Sequence, residues 1–326
     1  MSRLFRRRPL AGLATLAGLG LLAAGCSGGG GSAAPGGLEK TNLTVAAVPA
    51  LDSAGLYIAK ERGLFAAEGL NVSILPAISG ATAITSQLKG QVDITAGNYV
   101  SYIEANTQAK DPADFRVLAP GSIMQADNQD IVVPQHSGIT TVSDLANKTI
   151  GVNVKNNIGT LLISSILSDN SVTVNAKQFV PIQFPDMGKA LADHKVDAAW
   201  LPQPFITEDE QQYGVQPLAD ANQGSTQDLP IEGYMVTESW LKKYPNTAAA
   251  FRRALLKAQA IAVSDPGAVQ QGMAKFAKTP MQSAAIAGAP EFPTQQSASV
   301  LQRVANLMLN FGMLQQHYDV SPMVVK

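Results

Sequence analysis

From Leu43 onward, short apolar runs alternate with helix-like stretches, and the alternation occurs twice in the same order. No other feature of the chain restricts its fold as much, because strands that alternate with helices pair in parallel with helices covering the sheet. The first set reads as strands at Leu43–Val48, Asn71–Leu75 and Val92–Ala96, with helices at Ser53–Glu68, Ala81–Lys89 and Asn98–Gln108. Strands at Arg116–Ala119 and Ile131–Val133 follow. The second set has strands at Thr149–Val152, Gln178–Gln183 and Val196–Trp200 around helices at Gly159–Ser168 and Met187–His194. One segment echoes closely: the helix end, polar turn and Val-Asp strand start of Gln87–Ala96 recur in Ala190–Ala199. Such a pair by itself has no more weight than any helix-to-strand junction, but two βαβαβ units in matching order indicate an internal duplication. After a strand at Ile231–Val236 the chain becomes helical, with Thr247–Ser264, a helix opened by Asp265-Pro266, and an amphipathic stretch from Gln295 to Leu309.

The first residues carry a different message. Arg6-Arg7-Arg8 precede an apolar run from Leu10 to Gly25, too short to span a bilayer comfortably and ending in small residues, which is the layout of an export signal. Leu22-Ala23-Ala24-Gly25-Cys26 resembles the lipobox of bacterial lipoproteins, and Cys26 is the only cysteine. That resemblance implies that residues 1–25 are removed and that Cys26 takes the lipid. Residues 26–40, rich in glycine and serine, then form a flexible tether to a membrane. Loss of residues 1–25 removes Arg3, Arg6, Arg7 and Arg8 and no acid, which moves the formal charge from -1 to -5. A mildly acidic chain without a basic run does not suit nucleic acid. With no cysteine pair, an exported domain must rest on its apolar core.

Motifs for chemistry are sparse. Neither a phosphate-binding GxxxxGK nor a zinc-binding HExxH is present, and His136, His194 and His317 lack ligand spacing. No metal or cofactor is expected. In open α/β sheets, ligands sit beyond the carboxyl ends of the strands, where loops feed helix N-termini. Four such junctions offer candidates: Asp52 and Ser53; Ser79 and Gly80; Asn98 and Tyr99; and Asn157, Gly159 and Thr160. Each small polar residue is equally suited to capping a helix. Trp200, Gln203 and Phe205 follow the strand at Val196–Trp200, and the aromatics there and at Tyr99 are suited either to a ligand or to the core.

Leu56–Leu70, reading LYIAKERGLFAAEGL, resembles a block of the nitrate/sulfonate/taurine and thiamine-precursor group of ABC-transporter solute-binding proteins. The Ser79-Gly80 loop, Gly90-x-Val92-Asp93, Asp130–Gly138 and Asp197–Phe205 fall in that family's order. The resemblance implies a two-lobed periplasmic-binding-protein-like fold (type II), each lobe a mostly parallel sheet flanked by helices. Lobe 1 would comprise residues 41–130 plus 231–326, and lobe 2 residues 131–230, with crossovers near Gln129–Pro134 and Gln216–Ile231. It also implies a monomer that is not an enzyme. It would sit lipid-anchored outside the cell membrane, or in the periplasm, and hand a small organic solute to ABC permease and ATPase subunits. The solute classes are sulfonates, amino sulfonates, pyrimidines and aromatic acids. A ligand-sensing partner of a membrane receptor, or a pyrimidine-precursor enzyme, would share the fold. The family usually has glutamate where this chain has Gln203, so a charge preference does not carry over.

Overall fold

The structure, a computed structural model, describes residues 37–108 and 114–325. The expected export signal, Cys26 and most of the tether lie outside the described residues. At the end of the expected tether, Glu39 accepts hydrogen bonds from the backbone N–H groups of Asn246 (3.1 Å) and Thr247 (2.9 Å), at the start of the helix Pro245–Ser264. A carboxylate at a helix N-terminus satisfies free donors there and meets the positive end of the dipole.

Among the described residues, ten strands form two five-stranded sheets. They are β1 (Asn42–Ala47), β2 (Asn71–Pro76), β3 (Ile94–Asn98), β4 (Phe115–Ile123), β5 (Gln129–Pro134), β6 (Ile150–Val152), β7 (Phe179–Pro181), β8 (Ala198–Pro202), β9 (Val215–Asp220) and β10 (Pro230–Thr237). The first sheet has the order β2-β1-β3-β10-β4 and the second β7-β6-β8-β5-β9. In each, the three strands of the βαβαβ unit run parallel, and two further strands join antiparallel. The sheets are therefore mixed. The antiparallel strands β10 and β5 enter from the other sheet and run against the strands they join. Their positions correspond, since β10 lies between β3 and β4 as β5 lies between β8 and β9.

The sequence echo has a structural basis. At the start of β3, the backbone N–H of Asp93 donates to Thr44 O (2.8 Å), and the Asp93 carboxylate accepts from Thr44 N–H (3.0 Å). Before β8, Asp197 N–H donates to Thr149 O (2.9 Å), and its carboxylate accepts from the N–H (2.8 Å) and hydroxyl (2.7 Å) of Thr149. Both aspartates close the start of a parallel pair, where the backbone donor just before the paired stretch of the neighbouring strand would otherwise lack a partner.

Helices flank both sheets, mostly where the apolar periodicity places them. The long helix expected over Ser53–Glu68 is broken: Gly63 takes a left-handed conformation (φ 67°) between Ala54–Glu61 and Leu64–Ala67. Phe65 of the second piece stacks on Phe251 with centroids 4.9 Å apart, filling the first core. In the second core Leu161, Leu162 and Met187 are buried beside Trp200. The helix Phe205–Tyr213 and strand β9 were not foreseen, because Thr207–Tyr213 is almost wholly polar and Val215–Asp220 carries Pro217. The segments passing between the sheets are 124–128 and 221–229. β5 is therefore already a strand of the second sheet where a crossover was expected. Among the described residues no helix is long and apolar enough to cross a membrane.

Candidate functional site in the cleft between the sheets

The carboxyl ends of β1 and β3 face those of β6 and β8 across a narrow seam. A cavity of about 40 Å³ lies there. Its wall includes Val48, Asp52, Gly80 and Asn98 from the first sheet's junctions, Asn153, Ile158, Phe184, Trp200 and Pro202 from the second's, and Gln129 and Glu232 from the exchanged strands. Larger grooves exist on the surface. One of about 490 Å³ lies beside Asp93, Trp240 and Lys243, at the starting end of β3, away from the strand ends where α/β sheets hold ligands.

Four of the residues singled out from the sequence, Asp52, Gly80, Asn98 and Trp200, line this cavity. The others stand behind it or hold the halves together. Ser53 Oγ donates to Glu232 Oε1 at 2.7 Å. Ser79 caps the helix Gly80–Leu88 by accepting from Thr82 N–H at 3.2 Å. Tyr99 is buried against Gly233, where a Cβ would approach its hydroxyl oxygen to 2.6 Å. Thr160 Oγ accepts from Asn157 N–H at 2.9 Å at the start of the helix Ile158–Asp169. Phe205 stacks on Phe184 at 5.1 Å between centroids. Gly159 lies under Trp200, and a Cβ there would come within 2.4 Å of the indole.

Asn157 and Gln203 act across the seam. The Asn157 side chain accepts from Asn98 Nδ2 (2.9 Å) and donates to Ser101 Oγ (2.8 Å), both on the opposite half. The Gln203 carbonyl accepts from Leu51 N–H at 3.0 Å. The Gln203 side chain donates to Asp127 O (3.1 Å), on the connecting segment 124–128, and accepts from Thr207 Oγ1 (3.0 Å) in its own half.

Glu232, Gln129, Asn153 and Phe184 were missed. A glutamate inside the apolar run Ile231–Val236 was the available signal, since an acid on a buried strand needs a reason. Asp52 and Glu232 are buried, at 3% and 4% exposure. Asp52 Oδ1 accepts from Ser122 Oγ at 2.6 Å. Burial pushes Asp52 up to about 6, and burial with the nearby Asp52 charge pushes Glu232 up to about 8. No Lys, Arg or His lines the cavity among the described residues, and Lys155 is exposed. Gln129 Oε1, Asn153 Oδ1 and Trp200 Nε1 are buried without a hydrogen-bond partner.

The sequence model of the NMT1/THI5-like family matches residues 50–269. The chain belongs to this family. Among curated proteins, the one named "Putative binding protein YtlA" of Bacillus subtilis (strain 168) is 26% identical over 210 residues, 63% of this chain and 61% of that protein. Solved structures share the fold at low identity. The alkanesulfonate-binding protein SsuA of Xanthomonas axonopodis pv. citri, bound to MOPS, aligns over 89% of this chain and 99% of its own with TM-score 0.73 and 17% identity. The periplasmic nitrate-binding protein NrtA of Synechocystis PCC 6803 aligns over 87% and 85% with TM-score 0.73 and 16% identity. The desulfurization enzyme DszB aligns over 88% and 96% with TM-score 0.66 and 18% identity. The fold is that of the periplasmic binding proteins, and it carries both binders and an enzyme.

Two measurements probe the site. Because the folded-state values of Asp52 and Glu232 lie above those of free carboxylates, the folded protein holds more protons than the unfolded chain between about pH 4 and 8. Stability is therefore greatest near the acid end of that window and falls as pH rises through it, by up to about 1.4 kcal/mol per pH unit per proton. Buried Asp130 and Asp209, raised to about 8 and 7, act in the same direction. Urea melts of ligand-free protein at pH 5 and 8 should show this loss, and Glu232→Gln should reduce it; equal midpoints at both pH values would refute the assignment. Asn157→Ala removes two hydrogen bonds across the seam, each with a net worth of about 1 kcal/mol. The ligand-free variant should show a larger radius of gyration by small-angle scattering, and an unchanged profile would mean that these bonds do not hold the halves together.

Proposed function

We propose that this chain is the solute receptor of an ABC importer, held outside the cell membrane, which captures a small organic solute in the cleft and presents it to permease and ATPase subunits. The observation that carries this reading is the seam. Two sheets joined by two short segments meet through shared apolar packing and a few polar contacts around a small cavity walled by both, an arrangement that opens by bending at 124–128 and 221–229. Residues 41–130 with 231–326 would form one lobe and 131–230 the other. A solute that binds better between closed lobes shifts the equilibrium toward closure in proportion to that preference. That SsuA binds alkanesulfonates and NrtA nitrate agrees with this reading.

Enzymatic action on the same fold, as in DszB, finds less support. His136, His194 and His317 are exposed, and no histidine lines the cavity among the described residues. A ligand sensor of a membrane receptor would use the same cleft, and finding permease and ATPase genes beside its own gene would favour transport.

Native mass spectrometry of protein purified from its own cells should show a bound small molecule. Adding that molecule to stripped protein should reduce the radius of gyration, whereas an unchanged profile at saturation would indicate a rigid molecule and refute the receptor reading. The lipid anchor rests on Cys26. Cys26→Ser should move the protein from the membrane pellet to the soluble fraction without changing its melting temperature, and a variant that stays in the salt-washed pellet would refute lipidation.

A further inference from the structure

The proposed receptor function leaves the charge of the solute open, and the cavity wall bears on it. Asp52 and Glu232 both face this space, and each receives a hydrogen bond from a serine, Ser122 to Asp52 and Ser53 to Glu232. No basic side chain lines the cavity among the described residues. Two carboxylates that share a buried site without a cation repel each other and resist ionisation together. Gln129, 1% exposed, lines the same cavity with its Oε1 unpartnered, and the Asn153 Oδ1 is also unpartnered. The wall therefore presents four acceptor groups and lacks the positive charge that would complete them. Phe184 and Trp200, with centroids 5.5 Å apart, supply aromatic surface of the kind that attracts cations.

We propose that the solute is a small nitrogen base bound as its cation, with an ammonium, amidinium or guanidinium head group placed between Asp52 and Glu232, and that anions such as sulfonate or nitrate are excluded. This rests on the receptor reading. A permanently ionised anion in this cavity would face two carboxyl groups and two amide oxygens with no cation to offset its desolvation. A cationic head group instead donates to these oxygens, and each resulting charge-assisted bond is stronger than a neutral one. The cavity of about 40 Å³ exceeds the 10–15 Å³ or so that one water needs, and suits a head group of a few heavy atoms when the lobes are closed. Trp200 Nε1, a donor without a partner, matches a hydroxyl or carbonyl oxygen on the same solute.

The test is calorimetric titration and thermal shift of the full chain with ethanolammonium, guanidinium and acetamidinium chlorides, against sodium ethanesulfonate and sodium nitrate. At least one cation should bind 100-fold or more tightly than either anion. Glu232→Gln, which keeps the shape and removes the charge, should weaken that binding at least tenfold while leaving the folded protein at least as stable in urea at pH 7. Tighter binding of an anion would overturn the cation assignment and leave the receptor reading intact. Cation binding that Glu232→Gln does not weaken would also overturn it, as would binding of none of these probes. The receptor reading is judged separately, by whether any copurified molecule closes the lobes.

Discussion

Each sheet is completed by a strand that follows the edge strand of the other. β5 comes directly after β4 and inserts between β8 and β9; β10 comes directly after β9 and inserts between β3 and β4. This exchange determines the rest of the molecule. It limits the connections between the halves to 124–128 and 221–229, and it brings the first residues of both exchanged strands to the seam. Gln129 is the first residue of β5 and Glu232 the third of β10, and both line the cavity. The parts of the chain that join the halves therefore also supply polar groups to the site between them. A solute held there contacts the strands into which those segments lead.

The buried acids of the cleft set its electrostatics. Removing a carboxylate from water is unfavourable by several kcal/mol unless it is neutralised or paired. Here Ser53 donates to Glu232, Ser122 and Gln129 donate to Asp52, and burial raises both acids above the usual carboxylate range, so that protonation relieves part of the remaining penalty, for Glu232 more than for Asp52. Tyr57, Tyr99, Tyr102 and Tyr234 are held protonated chiefly by burial, with the Glu232 charge acting in the same direction, so they add no negative charge. A site tuned in this way spends stability on being ready for a positive partner, as functional sites with shifted carboxylates commonly do.

Most of the architecture was legible because hydrophobic periodicity, glycine punctuation and helix signals all agree along the two βαβαβ units. Asp93 and Asp197 marked the duplication in the sequence, and both tie the start of a strand to its neighbour by the same bonds. What remained hidden came from the exchange. Whether β5 and β10 run parallel or antiparallel depends on which sheet they join, and no local pattern encodes that. Of the cavity wall, Asp52, Gly80 and Asn98 are legible because they stand at strand-to-helix junctions, where ligands gather. Glu232 and Gln129 were missed because they lie within strands, where attention falls on the apolar majority.

Trp200 shows how packing and site geometry meet in one side chain. It was read as facing either cleft or core, and it belongs to both, being 3% exposed, against Phe184, and on the cavity wall. Gly159 makes this possible. Its missing Cβ lets the indole lie on the first turn of the helix Ile158–Asp169, where any side chain would meet the ring. Two residues earlier, Asn157 turns its side chain across the seam, and Thr160 supplies the capping oxygen from within the helix. One helix start thus seats the aromatic wall, satisfies its own free donors and reaches the opposite half. Polar groups that would have been spent on capping are left to respond to whether the cleft is closed.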